Sequence, residues 1–290
     1  MGIEAVFIVG SGLMGSGIAQ VAAMSGYKVK MHDVSDERTT AGLEAIKSSM
    51  GKFLSKDKIS REQYDQALAN IVLTTRLEDA SDADLVVEAV FENLEIKKEV
   101  FGTLDDICPS DTILATNTSA IPISSIASVT GRPHKVAGTH FFSPVQLMRL
   151  CEIIRGIQTS QETMETADRW ARSLGKQTVI VRKDHAGFLS NRLYLPMVME
   201  AIRALEAGVA SPEDIDSAIC LGYNLPMGPL ELTDMTGVDI LYNASLAIYK
   251  DTGDPKYYPP PLMRHMVTSG LLGRKAGKGF YDYTGGKKSS

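Results

Sequence analysis

Two groups of residues in this 290-residue chain have the types and spacing to do chemistry. The first is Gly10-Ser11-Gly12-Leu13-Met14-Gly15, at the end of an apolar run and the start of a helical pattern, with Asp33 closing a second short strand-like segment, Lys28–His32. Each glycine has a physical job: Gly10 for a tight turn, Gly12 for close approach of a pyrophosphate, Gly15 for close helix–strand packing. The helix that follows offers free N–H groups and a positive dipole end to phosphate, and an acid at the position of Asp33 suits a ribose. Together they point to a bound dinucleotide. The plainer alternative is a glycine-rich turn in an ordinary α/β domain. The second group is His140 and Glu152. Dinucleotides most often serve hydride transfer, and oxidising an alcohol also needs a base for the hydroxyl proton. Histidine suits that task near neutral pH. If the runs around Val136–Phe142 and Leu150–Ile154 are antiparallel neighbours with a loop centred near Gln146, positions 140 and 152 are directly opposed. Opposed side chains lie about 4.5–5.5 Å apart at Cβ. A carboxylate so placed fixes the tautomer and stabilises the imidazolium. A core histidine satisfied by its neighbour is the competing reading.

Other polar clusters fall where parallel strands end, the usual place for ligands in such folds. Glu92-Asn93 and Lys97 follow the apolar run Leu85–Val90, and Asn117-Thr118-Ser119 follows Thr112–Thr116. A strand-to-helix turn of this composition is equally well explained by capping. Lys52, Lys56 and Lys58, with Arg61 nearby, end a helical stretch that begins at Asp36. From charge alone this is more simply a solvated helix end, where basic residues are favoured, than a clamp for a polyanion.

The elements needed to position these groups follow from the pattern. Ala5–Val9, Lys28–His32, Ile71–Thr75, Leu85–Val90, Thr112–Thr116, Val136–Phe142, Leu150–Ile154 and Gln177–Arg182 are expected as strands. Helices are expected at 12–25, Asp36–Lys56, Ser60–Ala69, Lys97–Leu104 and Glu162–Leu174. Beyond Lys183 strand-like runs stop. Helical patterns cover Phe188–Ala207, with a kink at Pro196, then a helix starting at Ser211-Pro212, then Pro229–Asp234 and Val238–Lys250. Gly253–Pro261 is expected as a loop and Gly285–Ser290 as disordered. The fold class is therefore α/β: a mostly parallel sheet domain over residues 1–184, then an all-helical C-terminal domain over 185–290.

Composition sets limits. Apolar residues make up 44% and charged residues 22% of the chain, as in ordinary globular proteins. No apolar run approaches the roughly 20 residues of a membrane span, and the first strand leaves no room for a targeting segment. Cys108, Cys151 and Cys220 are odd in number and far apart, which indicates a reducing compartment, with no disulfide framework and no metal site. A cytoplasmic location is expected. A net charge of −5 argues against a nucleic-acid partner.

Seven stretches in order resemble the L-3-hydroxyacyl-CoA dehydrogenase family, most of all its short-chain 3-hydroxybutyryl-CoA members. They are Gly10–Gly15, Glu88–Asn93, Asn117–Ser119, His140–Pro144, Gly187–Arg192, Pro226–Pro229 and Gly273–Tyr281, and they span essentially the whole chain. The resemblance implies a Rossmann-type domain binding NAD, a helical domain that pairs with a second copy, and reversible oxidation of a (S)-3-hydroxyacyl-CoA. By position it implies His140 as catalytic base and Glu152 as its orienting acid. Ser119 and Asn191 would bind the substrate's oxygens. Asp33 would hold the adenosine ribose, and Glu92, Lys97, Asn117 and Ser143 would lie near the cofactor's other half. Lys52, Lys56 and Lys58 would grip the phosphates of coenzyme A. Two positions depart from the family pattern: Ser143 stands where asparagine is usual and Ala186 where proline is common. Asp33 favours NAD, while Lys28 and Lys30 nearby leave NADP open. Two rival readings are a dehydrogenase of small hydroxy or sugar acids, like L-gulonate 3-dehydrogenase, and a non-catalytic NAD-binding protein.

Overall fold

The computed structural model describes residues 2–285. The chain folds into two compact units, Met1–His185 and Ala186–Ser290. In the first, eight strands form one sheet: β1 (Ala5–Val9), β2 (Lys28–His32), β3 (Ile71–Thr74), β4 (Leu85–Glu88), β5 (Ile113–Thr116), β6 (Val136–Phe141), β7 (Leu150–Ile154) and β8 (Gln177–Val181). Their order across the sheet is β3-β2-β1-β4-β5-β6-β7-β8. All neighbours are parallel except β6 and β7. The chain leaves β1 toward β2 and β3, then crosses back to β4. Between β1 and β4 lies the switch point at which open α/β sheets form a ligand crevice.

The apolar runs of β1, β4 and β5 are buried because helices cover the sheet. Helix α1 (Leu13–Met24) buries an unbroken run from Gly15 to Ala23, mostly small residues that bring it close to the strands. Helix α2 (Asp36–Leu54) is capped by Ser35, and α3 (Arg61–Ala69) by a capping box between Ser60 and Gln63. Helix α4 (Leu94–Ile107) is longer at both ends than expected. Asn93 starts it early by accepting the N–H groups of Glu95 and Ile96 at 3.0 and 3.1 Å. Helix α5 (Ile123–Ala127) has no local signal. Its first N–H groups are capped by the Asp184 carboxylate, which accepts from Ile123 at 2.8 Å and Ser124 at 2.6 Å. Helix α6 (Gln161–Ser173) packs Trp170 edge-on to Phe141 of β6.

The second unit is helical: α7 (Ser190–Glu206), α8 (Pro212–Tyr223), α9 (Pro229–Thr236), α10 (Val238–Thr252) and α11 (Pro261–Thr268). Helix α7 runs on through Pro196. The prolines expected to hold a loop open end instead at the N-terminal position of α11, where the missing N–H costs nothing. Leu195, Val198, Met199, Ile202, Leu230, Val238, Ile248 and Tyr257 form its core. The C-terminal segment is tied to this core by Asp234, whose carboxylate accepts the N–H groups of Phe280 and Tyr281 at 3.0 and 2.9 Å. Among the described residues no helix is long and apolar enough to cross a membrane. Gly285 is an exposed turn residue, and the rest of the segment expected to be disordered, 286–290, lies outside the described residues.

Candidate active site

Loops leaving the carboxyl ends of β1, β2, β4, β5 and β6 carry most of the residues singled out in the sequence. Gly10 has φ +99°, and a Cβ there would stand 2.7 Å from the Ala89 carbonyl oxygen just beyond β4. A Cβ on Gly15 would stand 1.8 Å from the Gly10 oxygen. Both glycines are thus demanded by the fold. Gly12 is different: a Cβ there would meet nothing within 4 Å. It is the N-cap of α1, with no side chain capping that helix. Gly12 and Leu13 are exposed and Met14 is half-buried. The turn therefore leaves open space at a helix N-terminus, where a pyrophosphate fits.

Asp33 closes onto this turn. Its Oδ2 accepts the Ser11 N–H and hydroxyl, both at 2.9 Å, and Oδ1 accepts the Val34 N–H at 2.8 Å. Burial pushes its carboxyl up, but the Ser11 and Val34 bonds and the Arg38 guanidinium outweigh this and hold it below the ordinary value. The nearby cation is Arg38, 3.7 Å from Asp33 and stacked 5.9 Å from the Phe91 ring centroid. Lys30 is turned away, bonded to the Asp82 carboxylate and the Asp79 carbonyl.

Behind the ends of β4 and β5 lies a chain of charges. Glu88, fully buried, accepts from Lys97 Nζ at 2.6 Å, the Val90 N–H at 2.7 Å and the Thr116 hydroxyl at 2.7 Å. Lys97 is only 1% exposed and also faces Glu92 at 3.4 Å. Its ammonium is thus committed to two carboxylates within the unit. Glu92 Oε1 accepts the Thr118 hydroxyl at 2.6 Å, the N–H groups of Ser119 and Ala120 at 2.8 and 3.1 Å, and the Ser119 hydroxyl at 3.2 Å. Burial raises the Glu92 carboxyl, and Lys97 with these hydrogen bonds brings it below the ordinary value.

The register of β6 and β7 places His140 opposite Glu152. His140 Nδ1 and Glu152 Oε2 are 2.8 Å apart. Glu152 is fully buried, His140 almost so, and the Phe142 ring leans on the imidazole at 4.5 Å. A carboxylate accepts only, so where Glu152 is ionised the bond requires the proton on Nδ1, the tautomer in which Nε2 is the nitrogen that can take a proton. Asn117 joins this group to the β5 turn: its Oδ1 accepts the Phe141 N–H at 2.9 Å. Ser143 is half-buried just past the end of β6.

Two sets of expected residues lie elsewhere. Lys52 ends α2, and Lys56 and Lys58 are in the turn after it. All three are exposed, and Lys58 sits 5.9 Å from the Phe53 ring centroid. None of the three forms an ion pair with a carboxylate among the described residues. Asn191 is in the first turn of α7, in the second unit. The three cysteines are free thiols. Burial pushes Cys108 up to about 11 and raises Cys151 further, so neither is a reactive thiolate. Among the described residues no group of three or more His, Cys, Asp or Glu could hold a metal ion.

Two residues at this site escaped the sequence reading. Glu88 had a signal, an acid in an otherwise apolar buried strand. Ser11 had a weaker one, a hydroxyl inside the glycine turn that needs a partner.

Residues 5–185 match the 3-hydroxyacyl-CoA dehydrogenase NAD-binding domain, and residues 187–283 match the 3-hydroxyacyl-CoA dehydrogenase C-terminal domain. A 3-hydroxybutyryl-CoA dehydrogenase of Bradyrhizobium diazoefficiens is 42% identical over 285 residues, covering 98% of this chain and 97% of that one. The crystal structure of (S)-3-hydroxybutyryl-CoA dehydrogenase PaaH1 from Ralstonia eutropha superposes with a TM-score of 0.93 at 42% identity, over 97% of this chain and 99% of that one. A diketoreductase that acts on dicarbonyl compounds superposes with a TM-score of 0.87 at 29% identity, over 98% and 100% of the two chains. The chain belongs to the 3-hydroxyacyl-CoA dehydrogenase family, and its first unit is that family's NAD-binding domain.

Proposed function

We propose that the protein oxidises short-chain (S)-3-hydroxyacyl-CoA, such as 3-hydroxybutyryl-CoA, to the 3-ketoacyl-CoA with NAD, reversibly. The observation that carries this reading is the buried His140–Glu152 pair beside the strand ends of a dinucleotide fold. The names borne by the Bradyrhizobium and Ralstonia relatives support the substrate class. Bound NAD supplies the hydride acceptor; Gly10, Gly12, Leu13, Met14, Gly15 and Asp33 would hold its adenosine and pyrophosphate half. Glu92, Lys97, Asn117, Ser119 and Ser143 would border the other half. His140 takes the 3-hydroxyl proton at Nε2 while C3 loses hydride, and Glu152 stabilises the resulting imidazolium. In reduction His140 returns the proton. Ser119 and Asn191 hydrogen-bond the substrate's oxygens. Lys52, Lys56 and Lys58, exposed and with no ion pair to a carboxylate among the described residues, bind the phosphates of coenzyme A.

Residues 185–290 serve as the substrate and dimerisation domain of a homodimer. Exposed apolar side chains there, Leu193, Val209, Leu221 and Tyr223, support the pairing. Three free thiols support a cytoplasmic location. One second reading on the same scaffold is a small hydroxy or sugar acid as substrate, which needs no lysine clamp; the diketoreductase neighbour, named for dicarbonyl compounds, supports it only in showing this scaffold with a substrate class other than an acyl-CoA. The test is NADH oxidation with acetoacetyl-CoA, with acetoacetate and longer 3-ketoacyl-CoA esters for comparison and NADPH as alternative coenzyme. Turnover of acetoacetyl-CoA with NADH is expected. Turnover of the free acid alone would replace this reading by the second, and no turnover of any would overturn both.

A further inference from the structure

One buried carboxylate at the site has no part in the proton transfer. Glu88 ends β4 and is 0% exposed in a strand that is otherwise apolar. Replacing a buried ion pair such as Glu88–Lys97 by apolar residues is often neutral or stabilising, so stability gives a weak reason for the acid to be there. Its hydrogen bonds give a better one. Both of its oxygens lead to the same turn, residues 117–120. Oε2 accepts the Thr116 hydroxyl at 2.7 Å, and Thr116 Oγ1 in turn accepts the Thr118 N–H at 3.2 Å. Oε1 holds Lys97 Nζ at 2.6 Å, and Lys97 faces Glu92 at 3.4 Å. Glu92 then takes the N–H groups of Ser119 and Ala120 and the Ser119 hydroxyl. The hydroxyl contact, at 3.2 Å, is the longest of the four onto Glu92 Oε1. A substrate oxygen that bonds Ser119 Oγ would replace this contact while the N–H groups of Ser119 and Ala120 keep the turn held.

We infer that Glu88 is a positioning residue for the oxidation proposed above: through Thr116 on one side and Lys97 with Glu92 on the other, it sets the position of Ser119 Oγ. The inference rests on the reading that Ser119 binds the substrate oxygen at the reacting carbon.

A double-mutant cycle in the full-length protein tests it, with NADH and acetoacetyl-CoA as substrates. Glu88→Gln keeps the shape and the acceptor toward Lys97 but removes the charge, so Lys97 draws on Glu92 alone and the turn shifts. A misplacement of about 1 Å can cost about 100-fold, and a shift of up to that size in Ser119 Oγ should lower kcat about 10- to 100-fold. KM for NADH and for acetoacetyl-CoA should each stay within about three-fold, because the interaction lost is one of the transition state. In a Ser119→Ala background the same Glu88→Gln change should cost less than about two-fold, since residues acting through one another are not additive. A merely structural glutamate would cost the same factor in both backgrounds, and that result overturns the inference. So does wild-type turnover in Glu88→Gln. If Lys97, left with Glu92 as its one carboxylate, stops that variant folding, Glu88→Gln with Lys97→Met removes the buried ammonium and leaves the part-exposed Glu92 carboxylate on its hydrogen bonds to the turn, and the same masking by Ser119→Ala is expected. A wild-type protein inactive with acetoacetyl-CoA would sink the functional reading and this inference with it. An active wild type with additive variants sinks the inference alone.

Discussion

His140 and Glu152 face each other across the β6/β7 ladder, with Nδ1 2.8 Å from Oε2. Their meeting depends on register. A slip of one residue would turn Glu152 to the opposite face of the sheet and leave the imidazole beside Cys151 or Ile153. Glu152→Gln keeps the size of the side chain but cannot stabilise an imidazolium. His140→Gln removes the base altogether. Each should lower kcat by about 10²- to 10⁴-fold, the usual worth of positioned acid–base catalysis. NADH affinity, measured by fluorescence titration, should stay nearly unchanged. Near-normal turnover in either variant would remove the pair from the chemistry.

The glycine turn separates structural from ligand-binding demands within a few residues. Gly15→Ala places a methyl 1.8 Å from a backbone oxygen, which cannot move aside cheaply. Overpacking of this kind costs about 1–3 kcal/mol or more, so thermal unfolding should shift clearly downward. Gly12→Ala meets nothing within 4 Å and should melt like the parent. It should nevertheless bind NADH more weakly, because the methyl occupies the space a pyrophosphate needs. If both variants melt normally, the account of Gly15 is wrong; if Gly12→Ala binds NADH as the parent does, the pyrophosphate is placed elsewhere.

These contrasts indicate what in the chain was legible before the structure. Strand positions such as β1 and β4 were, because a parallel strand buried on both faces is an almost continuous apolar run bounded by glycine or polar residues. The opposition of His140 and Glu152 was legible too, since a shared loop midpoint fixes antiparallel partners. What local pattern could not show came from distant partners. Helix α5 is capped by Asp184, 60 residues on in sequence from Ser124. The helix at Pro261 was hidden because consecutive prolines look like a loop until the last one opens a helix. The burial of Lys97 between Glu88 and Glu92 was equally hidden. Helical spacing alone does not say whether a lysine points to solvent or under the ends of the central strands.

The lysines after α2 offer a test of substrate class. Lys52, Lys56 and Lys58 are exposed and form no ion pair among the described residues, so reversing their charge should alter stability by no more than about 0.5 kcal/mol. The triple change to glutamate should raise KM for acetoacetyl-CoA about ten-fold or more, with kcat little changed. The KM of the parent should itself rise with salt, because exposed charges are screened over about 10 Å at 0.1 M ionic strength. Unchanged KM in the triple variant would favour a substrate without phosphates.

Glu92 gives the site a pH dependence of defined sign. Its carboxyl is held below the ordinary value of 4.5, because Lys97 and the bonds from Thr118, Ser119 and Ala120 outweigh the cost of burial. A group whose folded pKa is depressed stabilises the fold above its unfolded pKa, and that stability is lost as pH falls through the folded value. Glu92→Gln removes the charge and with it this contribution. The variant should therefore be less stable than the parent at pH 7, and the gap should narrow as pH falls below about 4.5 toward 3. Urea unfolding at pH 7, 5 and 3 measures it. A gap of equal size at all three values would mean that the four hydrogen bonds onto Oε1, which glutamine can partly keep, matter more than the charge facing Lys97. The kinetic consequence can be separated in the same experiment. If protonation of Glu92 loosens the Ser119 turn, kcat of the parent should decline over the same acid range as its stability advantage over the variant, while the variant's kcat should be low and flat there.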